Sequence, residues 1–311
     1  MKILVTGADG FIGSHLVEKL VLLGHKVKAF TYYNSFNSWG WLDTINKQVL
    51  KNVEVVSGDI RDSHFVLKNS QDVDIIFHLA SLIAIPYSYQ SPLSYIETNV
   101  IGVTNLLESA KSNKKLTQFI HTSTSEVYGT AMKTPINEEH PLNGQSPYSA
   151  TKIAADQMAV SYNKSFGIPV TTIRPFNTYG PRQSLRAVIP TIITQLLSDK
   201  PQINLGALFP TRDFNFIEDT VNGFTSSIGN KRSIGETINI GSGYEISIKE
   251  IVKIIGEIIN NDYSIKIDKK RIRPRDSEVN RLICDNSKAY KILKWKPKYS
   301  GKKGLLKGLE K

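Results

Sequence analysis

Residues 2–13 read Lys2-Ile3-Leu4-Val5-Thr6-Gly7-Ala8-Asp9-Gly10-Phe11-Ile12-Gly13. A short apolar run ends in glycines at 7, 10 and 13, and the amphipathic stretch Ile12–Leu23 follows. The run predicts a strand, the stretch after it a helix, and the glycines a tight turn between them. Glycine is needed where a side chain would block the close approach of a pyrophosphate to the backbone. A helix starting near Phe11 points its unpaired N–H groups at that phosphate. Three glycines at this spacing are common. At the first strand–helix turn of a chain they point to a dinucleotide site.

Working outward, the first half alternates strand-like and helix-like segments. Short apolar runs lie at Lys2–Thr6, Val27–Thr31, Val53–Ser57, Asp74–His78, Gln118–Thr122 and Val170–Ile173. Amphipathic stretches at Ile12–Leu23, Ser94–Lys111 and Tyr148–Phe166 separate several of them. This alternation predicts an α/β protein with a Rossmann-type, doubly wound parallel sheet covered on both faces. Tyr33–Asn52 shows no regular period. The second half is less periodic, with helices expected at Ala187–Leu197 and Ile246–Ile259 and a strand at Glu236–Ile240. The expected division is a dinucleotide-binding domain over 1–175 and a smaller C-terminal α/β substrate domain over 176–311. A segment near 213–243 is expected to return to the first domain.

Composition sets outer limits. The chain has 311 residues, 40% hydrophobic and 22% charged, which suits a globular protein with a sizeable core. Cys284 is the single cysteine and permits no internal disulfide. The run Val17–Leu23 is broken by Glu18 and Lys19, so no membrane span is expected, and Met1–Thr6 does not read as a signal peptide. A cytoplasmic protein is the expectation. The net charge is +11, from 39 basic and 28 acidic side chains. The lysines are dispersed without interleaved aromatics, which argues against nucleic acid and suits anionic small substrates. No metal site is expected.

Three further motifs carry chemistry. Gly58-Asp59-Ile60 follows the third strand, where a carboxylate can accept from an adenine amino group; the alternative is a helix N-cap. In Tyr148-Ser149-Ala150-Thr151-Lys152, Ser146 reads as N-cap and Pro147 as first helical residue. Tyr148 and Lys152 then share a helix face at i and i+4. A phenol of reference pKa ~10 is a poor base at neutral pH. A nearby ammonium and a positive nicotinamide ring would lower that value. The alternative is a solvated surface pair. His121-Thr122-Ser123-Thr124-Ser125-Glu126-Val127-Tyr128-Gly129 ends the fifth strand, where such sheets bind ligands. Glu126 there can take a proton from carbon; the alternative is a solvent-facing loop residue.

Together with His78-Leu79-Ala80-Ser81 and Asn177-Thr178-Tyr179-Gly180-Pro181, these motifs resemble the extended short-chain dehydrogenase/reductases over nearly the whole chain. Within that family, Ser123-Thr124-Ser125-Glu126-x-Tyr128-Gly129 and Glu278-Val279 look like GDP-mannose 4,6-dehydratase. Tyr33-Asn34-Ser35-Phe36-Asn37-Ser38-Trp39-Gly40-Trp41 and Ile83-Ala84-Ile85-Pro86-Tyr87-Ser88 look closer to the dehydratases of legionaminic acid synthesis, which act on a nucleotide-linked N-acetylglucosamine.

The resemblance implies a nucleotide-sugar 4,6-dehydratase acting on GDP- or UDP-N-acetylglucosamine. Its catalytic residues would be Thr124, Glu126, Tyr148 and Lys152. The cofactor would be held by Gly7, Gly10, Phe11, Ile12, Gly13, Asp59, Ile60, Leu79, Ala80, Ser81, Tyr148 and Lys152. The substrate would be held by Thr124, Asn177, Arg212, Arg273 and Glu278. Guanidinium forks suit phosphate oxygens, although Lys269–Arg275 also reads as a solvated charge run. Trp39 and Trp41 would flank the cofactor, face a partner or simply pack. Dimerisation through Ser94–Lys111 and Tyr148–Phe166 is implied in the same way.

Two departures from the family pattern stand out. Thr124-Ser125-Glu126 replaces the Thr-Asp-Glu of many dehydratases, so the acid that protonates the departing hydroxyl is unassigned. The end of the second strand, Thr31-Tyr32-Tyr33, has neither the carboxylate that usually binds the ribose diol of NAD nor an arginine for a 2′-phosphate. NAD is the expected cofactor, with NADP as the alternative. The rival functions are a sugar-nucleotide 4-epimerase, which does not need Glu126, and a non-catalytic dinucleotide sensor.

Overall fold

The computed structural model describes residues 1–198 and 202–311. Among the described residues twelve strands run in chain order: β1 (Lys2–Thr6), β2 (Lys26–Tyr32), β3 (Val53–Gly58), β4 (Ile75–His78), β5 (Gln118–Thr122), β6 (Val170–Pro175), β7 (Asn177–Tyr179), β8 (Gln202–Leu205), β9 (Thr211–Phe216), β10 (Thr237–Ile240), β11 (Glu245–Ser247) and β12 (Ser264–Ile267). Seven of them form one sheet in the order β10-β6-β5-β4-β1-β2-β3. All its pairings are parallel. The order reverses between β1 and β4, so the crevice beyond their C-terminal ends is where ligands bind in such a sheet. The fold is Rossmann-like.

Both sheet faces are covered, which is why the strands are apolar along most of their length. On one face Leu16, Val17 and Leu20 of helix Phe11–Leu22 pack with Val221 and Phe224 of helix Ile217–Thr225. Phe224 meets Phe77 of β4 edge-on at 6.3 Å. On the other face Val66, Val103, Leu106, Leu107, Ala155 and Ala159 come from helices Ser63–Ser70, Gly102–Ser112 and Pro147–Phe166. After β6 the chain builds a three-stranded sheet, β11-β9-β7, and a two-stranded one, β12-β8. Between them β10 returns to the large sheet and pairs with β6.

The chain departs from the sequence reading in three places. The expected helix Ser94–Lys111 is a helical rod whose middle, Ile96–Ile101, is wound as a π-helix between Pro92–Tyr95 and Gly102–Ser112. The helix expected from Ile246 starts at Ile248, because Glu245–Ser247 pairs with β9 and Ser247 forms a capping box with Glu250. The aperiodic Tyr33–Asn52 contains a 3₁₀ turn, Gly40–Thr44, and a short helix, Lys47–Leu50, capped by Asn46. Among the described residues no helix is long and apolar enough to cross a membrane.

Candidate active site

The glycine turn is built as its spacing predicts. Gly7 has φ +68°, and a Cβ there would lie 2.7 Å from the Ala80 nitrogen. A Cβ on Gly13 would lie 2.1 Å from the Gly7 carbonyl oxygen, so only glycine lets helix and turn meet. Gly10 caps helix Phe11–Leu22 with no side chain, and a Cβ on it would meet only Gly7 O, at 3.2 Å. That space in front of the open first-turn N–H groups fits a pyrophosphate.

Leu79-Ala80-Ser81 runs beside this turn. The Leu79 and Ala80 amides donate to the Thr6 carbonyl and hydroxyl at 3.2 Å each. Asn99, in the π-wound segment, locks the arrangement. Its Oδ1 accepts from Ser81 Oγ and the Leu82 amide at 2.9 Å each, and its Nδ2 donates to Thr151 Oγ1 at 3.1 Å. Asn99 thereby ties the loop after β4 to the helix that carries Tyr148. π-turns often mark functional positions, but an isolated asparagine in an amphipathic stretch gives no sequence signal of one.

Asp59 is not a helix cap; Asp62 caps Ser63–Ser70, accepting from the His64 and Phe65 amides. Arg61 instead forks onto the Asp59 carboxylate, with Nε 3.0 Å from both oxygens and Nη2 at 2.6 Å, and its Nη1 reaches Glu97. These Arg61 bonds hold the Asp59 carboxyl below its ordinary range. Ile60 is buried next to it.

Helix Pro147–Phe166 carries the central groups. Ser146 caps it and forms a capping box with Ser149. Tyr148 and Lys152 share one face and are both buried, so the solvated-pair alternative does not hold. The expectation that Lys152 lowers the Tyr148 pKa is corrected. Burial pushes the phenol up, against a hydrogen bond from Thr124 and with the help of the Glu126 charge. The Lys152 ammonium instead donates to the Thr122 carbonyl at 2.6 Å. Burial lowers Lys152 to about 8 while the Asp156 charge opposes the shift.

One turn further along the same face, Asp156 was missed by sequence reasoning. It accepts from His121 Nε2 at 3.0 Å, Ser123 Oγ at 2.7 Å, and Arg174 Nε and Nη2 at 3.1 and 2.8 Å. Arg174 Nη1 donates to the Tyr128 hydroxyl, which donates to Asn239. Burial alone would raise Asp156, but these partners outweigh it and hold its pKa at about 2. A carboxylate depressed below its unfolded value of ~3.9 stabilises the fold above that value and stops doing so as pH falls through the folded pKa. Asp156→Asn is therefore expected to destabilise the protein by about 3–5 kcal/mol near neutrality, because Arg174 loses its partner in the interior. The gap to the parent should narrow by about 2 kcal/mol as pH drops from 4 toward 2. Denaturant melts of both proteins across that range are the measurement. A gap unchanged with pH would show that Asp156 is not the titrating group.

Facing this helix, Thr124 caps the 3₁₀ turn Ser125–Tyr128 and accepts from the Glu126 amide at 3.3 Å. Glu126 is 9% exposed, which removes the solvent-facing alternative. Arg273 Nη1 lies 3.8 Å from Glu126 Oε2 and 3.7 Å from Glu278 Oε1. Arg212 Nη2 lies 3.2 Å from the same Glu278 oxygen. Of the basic run, Lys269, Lys270, Arg271 and Arg275 are exposed while Arg273 turns inward. Asn177 Oδ1 and Arg273 Nη1 are buried without a hydrogen-bond partner in the protein. Two guanidiniums and an unsatisfied amide beside the carboxylates of Glu126 and Glu278 suit a phosphate-bearing, hydroxyl-rich ligand. Among the described residues no group of histidine, cysteine and carboxylate side chains could hold a metal ion.

A family model described as GDP-mannose 4,6 dehydratase matches residues 4–307. The chain belongs to the GDP-mannose 4,6-dehydratase family. Like other members of this family, it has the extended short-chain dehydrogenase/reductase fold. Human dTDP-D-glucose 4,6-dehydratase is 32% identical to it, over 99% of this chain and 89% of that protein. The structure of a Bacillus cereus UDP-glucuronic acid 4-epimerase with UDP-glucuronic acid and NAD superposes with a TM-score of 0.89 at 33% identity, covering 100% of this chain and 97% of that one. That of a Streptomyces venezuelae dTDP-glucose 4,6-dehydratase with NAD bound has a TM-score of 0.85 at 29% identity, covering 99% and 96%. The family member described here is thus a nucleotide-sugar 4,6-dehydratase or 4-epimerase by kinship.

Proposed function

We propose that the chain is an NAD-dependent nucleotide-sugar 4,6-dehydratase, and that its substrate is GDP- or UDP-N-acetylglucosamine. The observation that carries the reaction class is Glu126, a buried carboxylate whose charge acts on Tyr148 within one cleft. An epimerase oxidises and reduces the same carbon and needs no base for a second one. A dehydratase must also remove the C5 proton. Resemblance alone supports N-acetylglucosamine, through the stretches 33–41 and 83–88.

Bound NAD would supply a hydride acceptor for C4 and later a hydride donor for C6. Tyr148 takes the proton of the sugar 4-hydroxyl while Thr124 hydrogen-bonds the C4 oxygen. The 4-ketone acidifies the C5 hydrogen, and Glu126 removes it as the 6-hydroxyl leaves as water. Arg212 and Arg273 hold the diphosphate, Asn177 the sugar–phosphate side and Glu278 the nucleotide ribose. Lys152 anchors the nicotinamide ribose. With Ser125 where others have aspartate, Glu126 also returns a proton to the leaving hydroxyl. Incubation with UDP-, GDP-, CDP- and dTDP-hexoses, read by mass, tests the proposal. Loss of water identifies the dehydratase. An unchanged mass with inverted C4 identifies the 4-epimerase, which the Bacillus cereus neighbour favours. Binding without turnover identifies a sensor.

We also propose a homodimer. Helices Gly102–Ser112 and Pro147–Phe166 lie side by side, joined by Tyr162 to Glu108 and by Lys111 4.3 Å from the Phe166 ring centre. Leu93, Ile96 and Ile101, in the turns that lead into the first of them, and Phe166, at the end of the second, are exposed. Apolar side chains on adjacent helices favour a second copy. Light scattering at micromolar concentration should give twice the 34.7 kDa chain mass; a monomer would refute this.

A further inference from the structure

The usual carboxylate for the adenosine ribose is missing from the end of β2, where Thr31, Tyr32 and Tyr33 stand. The structure puts another carboxylate at that edge. Pairing of Thr6 with Phe30, and the Ala8 amide donating to the Phe30 carbonyl at 3.2 Å, draw the glycine turn up to the end of β2. Asp9, inside that turn, then has Oδ2 3.4 Å from the Tyr32 amide.

Its backbone is held from the other side. The Trp41 amide donates to the Asp9 carbonyl at 3.0 Å. Gly40, at φ +60°, packs so closely that a Cβ on it would lie 2.7 Å from that oxygen. Asp9 is half-buried, and among the described residues no ion pair reaches it. Arg61, beyond the end of β3, is committed to Asp59 and Glu97. Asp9 therefore places a carboxylate, pushed above its ordinary value by burial and without an ion-pair partner among the described residues, where strand and pyrophosphate turn meet.

We infer that Asp9 takes over recognition of the adenosine ribose diol and selects NAD against NADP. This rests on the dinucleotide reading above. A ribose 2′-hydroxyl can donate to a carboxylate, whereas a 2′-phosphate brings at least one further negative charge against it. Selection from within the glycine turn, rather than from the strand end, explains why Thr31-Tyr32-Tyr33 is tolerated in an NAD site.

The test is fluorescence titration of NADH and NADPH, without substrate, against the parent, Asp9→Asn and Asp9→Ser. The parent should prefer NADH by at least about tenfold, the range of one charge-assisted contact. Both variants should bind NADH more weakly and NADPH more tightly, cutting the ratio by about tenfold or more. A ratio within twofold of the parent's in whichever variants fold, or a parent that binds NADPH as well as NADH, overturns the assignment of Asp9 and leaves the dinucleotide reading intact. A parent that binds neither overturns both. Asp9→Ser keeps a small polar group if the amide of Asn does not fit beside Gly40.

Discussion

Tyr148→Phe is expected to fold, to bind the dinucleotide and to lose turnover by at least about 10²-fold, the usual contribution of a positioned base. The ring sits in a small apolar cluster with Ile85 and Tyr95, meeting Tyr95 edge-on at 6.3 Å. Phenylalanine keeps that packing. The hydroxyl it removes is hydrogen-bonded to Thr124, so the structural loss is about 1 kcal/mol. The chemical loss is larger, because the other ionisable groups of this helix face are committed: Asp156 is bound by His121 and Arg174 and held at about 2. Lys152, at about 8, is a cation turned to the Thr122 carbonyl.

The geometry also says when Tyr148 becomes a base. Burial and the Glu126 charge favour the neutral phenol. A positive charge brought in beside the ring works against that preference, so oxidation should wait for the oxidised dinucleotide. Turnover measured beside dinucleotide affinity separates the two effects. Near-normal turnover of the phenylalanine variant would sink the role, whereas lost affinity with it would point to a packing defect.

Local pattern carried much of this reading. The strand, glycine turn and helix at Lys2–Leu22 follow from a change of period at three glycines. The helix at Pro147 follows from Ser146-Pro147, and its shared Tyr148–Lys152 face from i,i+4 spacing. Spacing could not say how deeply the ring is buried or where the ammonium points, and burial is what gives the Tyr148 shift the opposite direction. The Asp156 cluster was illegible for another reason. His121, Asp156 and Arg174 come from β5, a helix and β6, and each alone reads as an ordinary polar residue. Asn99 acts through a π-turn that the amphipathic pattern hides. Arg273 was one charge among several, and only packing separates it from its exposed neighbours. Asp9 lay in view inside the first motif. Its place beside the end of β2 depends on the register of two strands, which periodicity does not give.

Glu126→Gln should divide the reaction in two. The side chain is nearly the same size, and Arg273 keeps Glu278 at 3.7 Å when the 3.8 Å contact to position 126 loses its charge. Removing that charge also removes one of the influences that hold Tyr148 neutral, so oxidation at C4 is not impaired. An amide cannot accept the C5 proton, and elimination should slow by at least about 10²-fold. The expected record is reduced nicotinamide building up in absorbance, no 4-keto-6-deoxy sugar by mass, and suppressed exchange of the C5 hydrogen with deuterated solvent. Exchange at the parent's rate would remove Glu126 from the mechanism and with it the main support for a dehydratase. A 4-epimerase responds differently. Its C5 hydrogen never exchanges in the parent, and the Gln variant still inverts C4. The two activities open to this chain, 4,6-dehydration and 4-epimerisation, thus differ in the fate of a single hydrogen, and Glu126 is the group that would decide it.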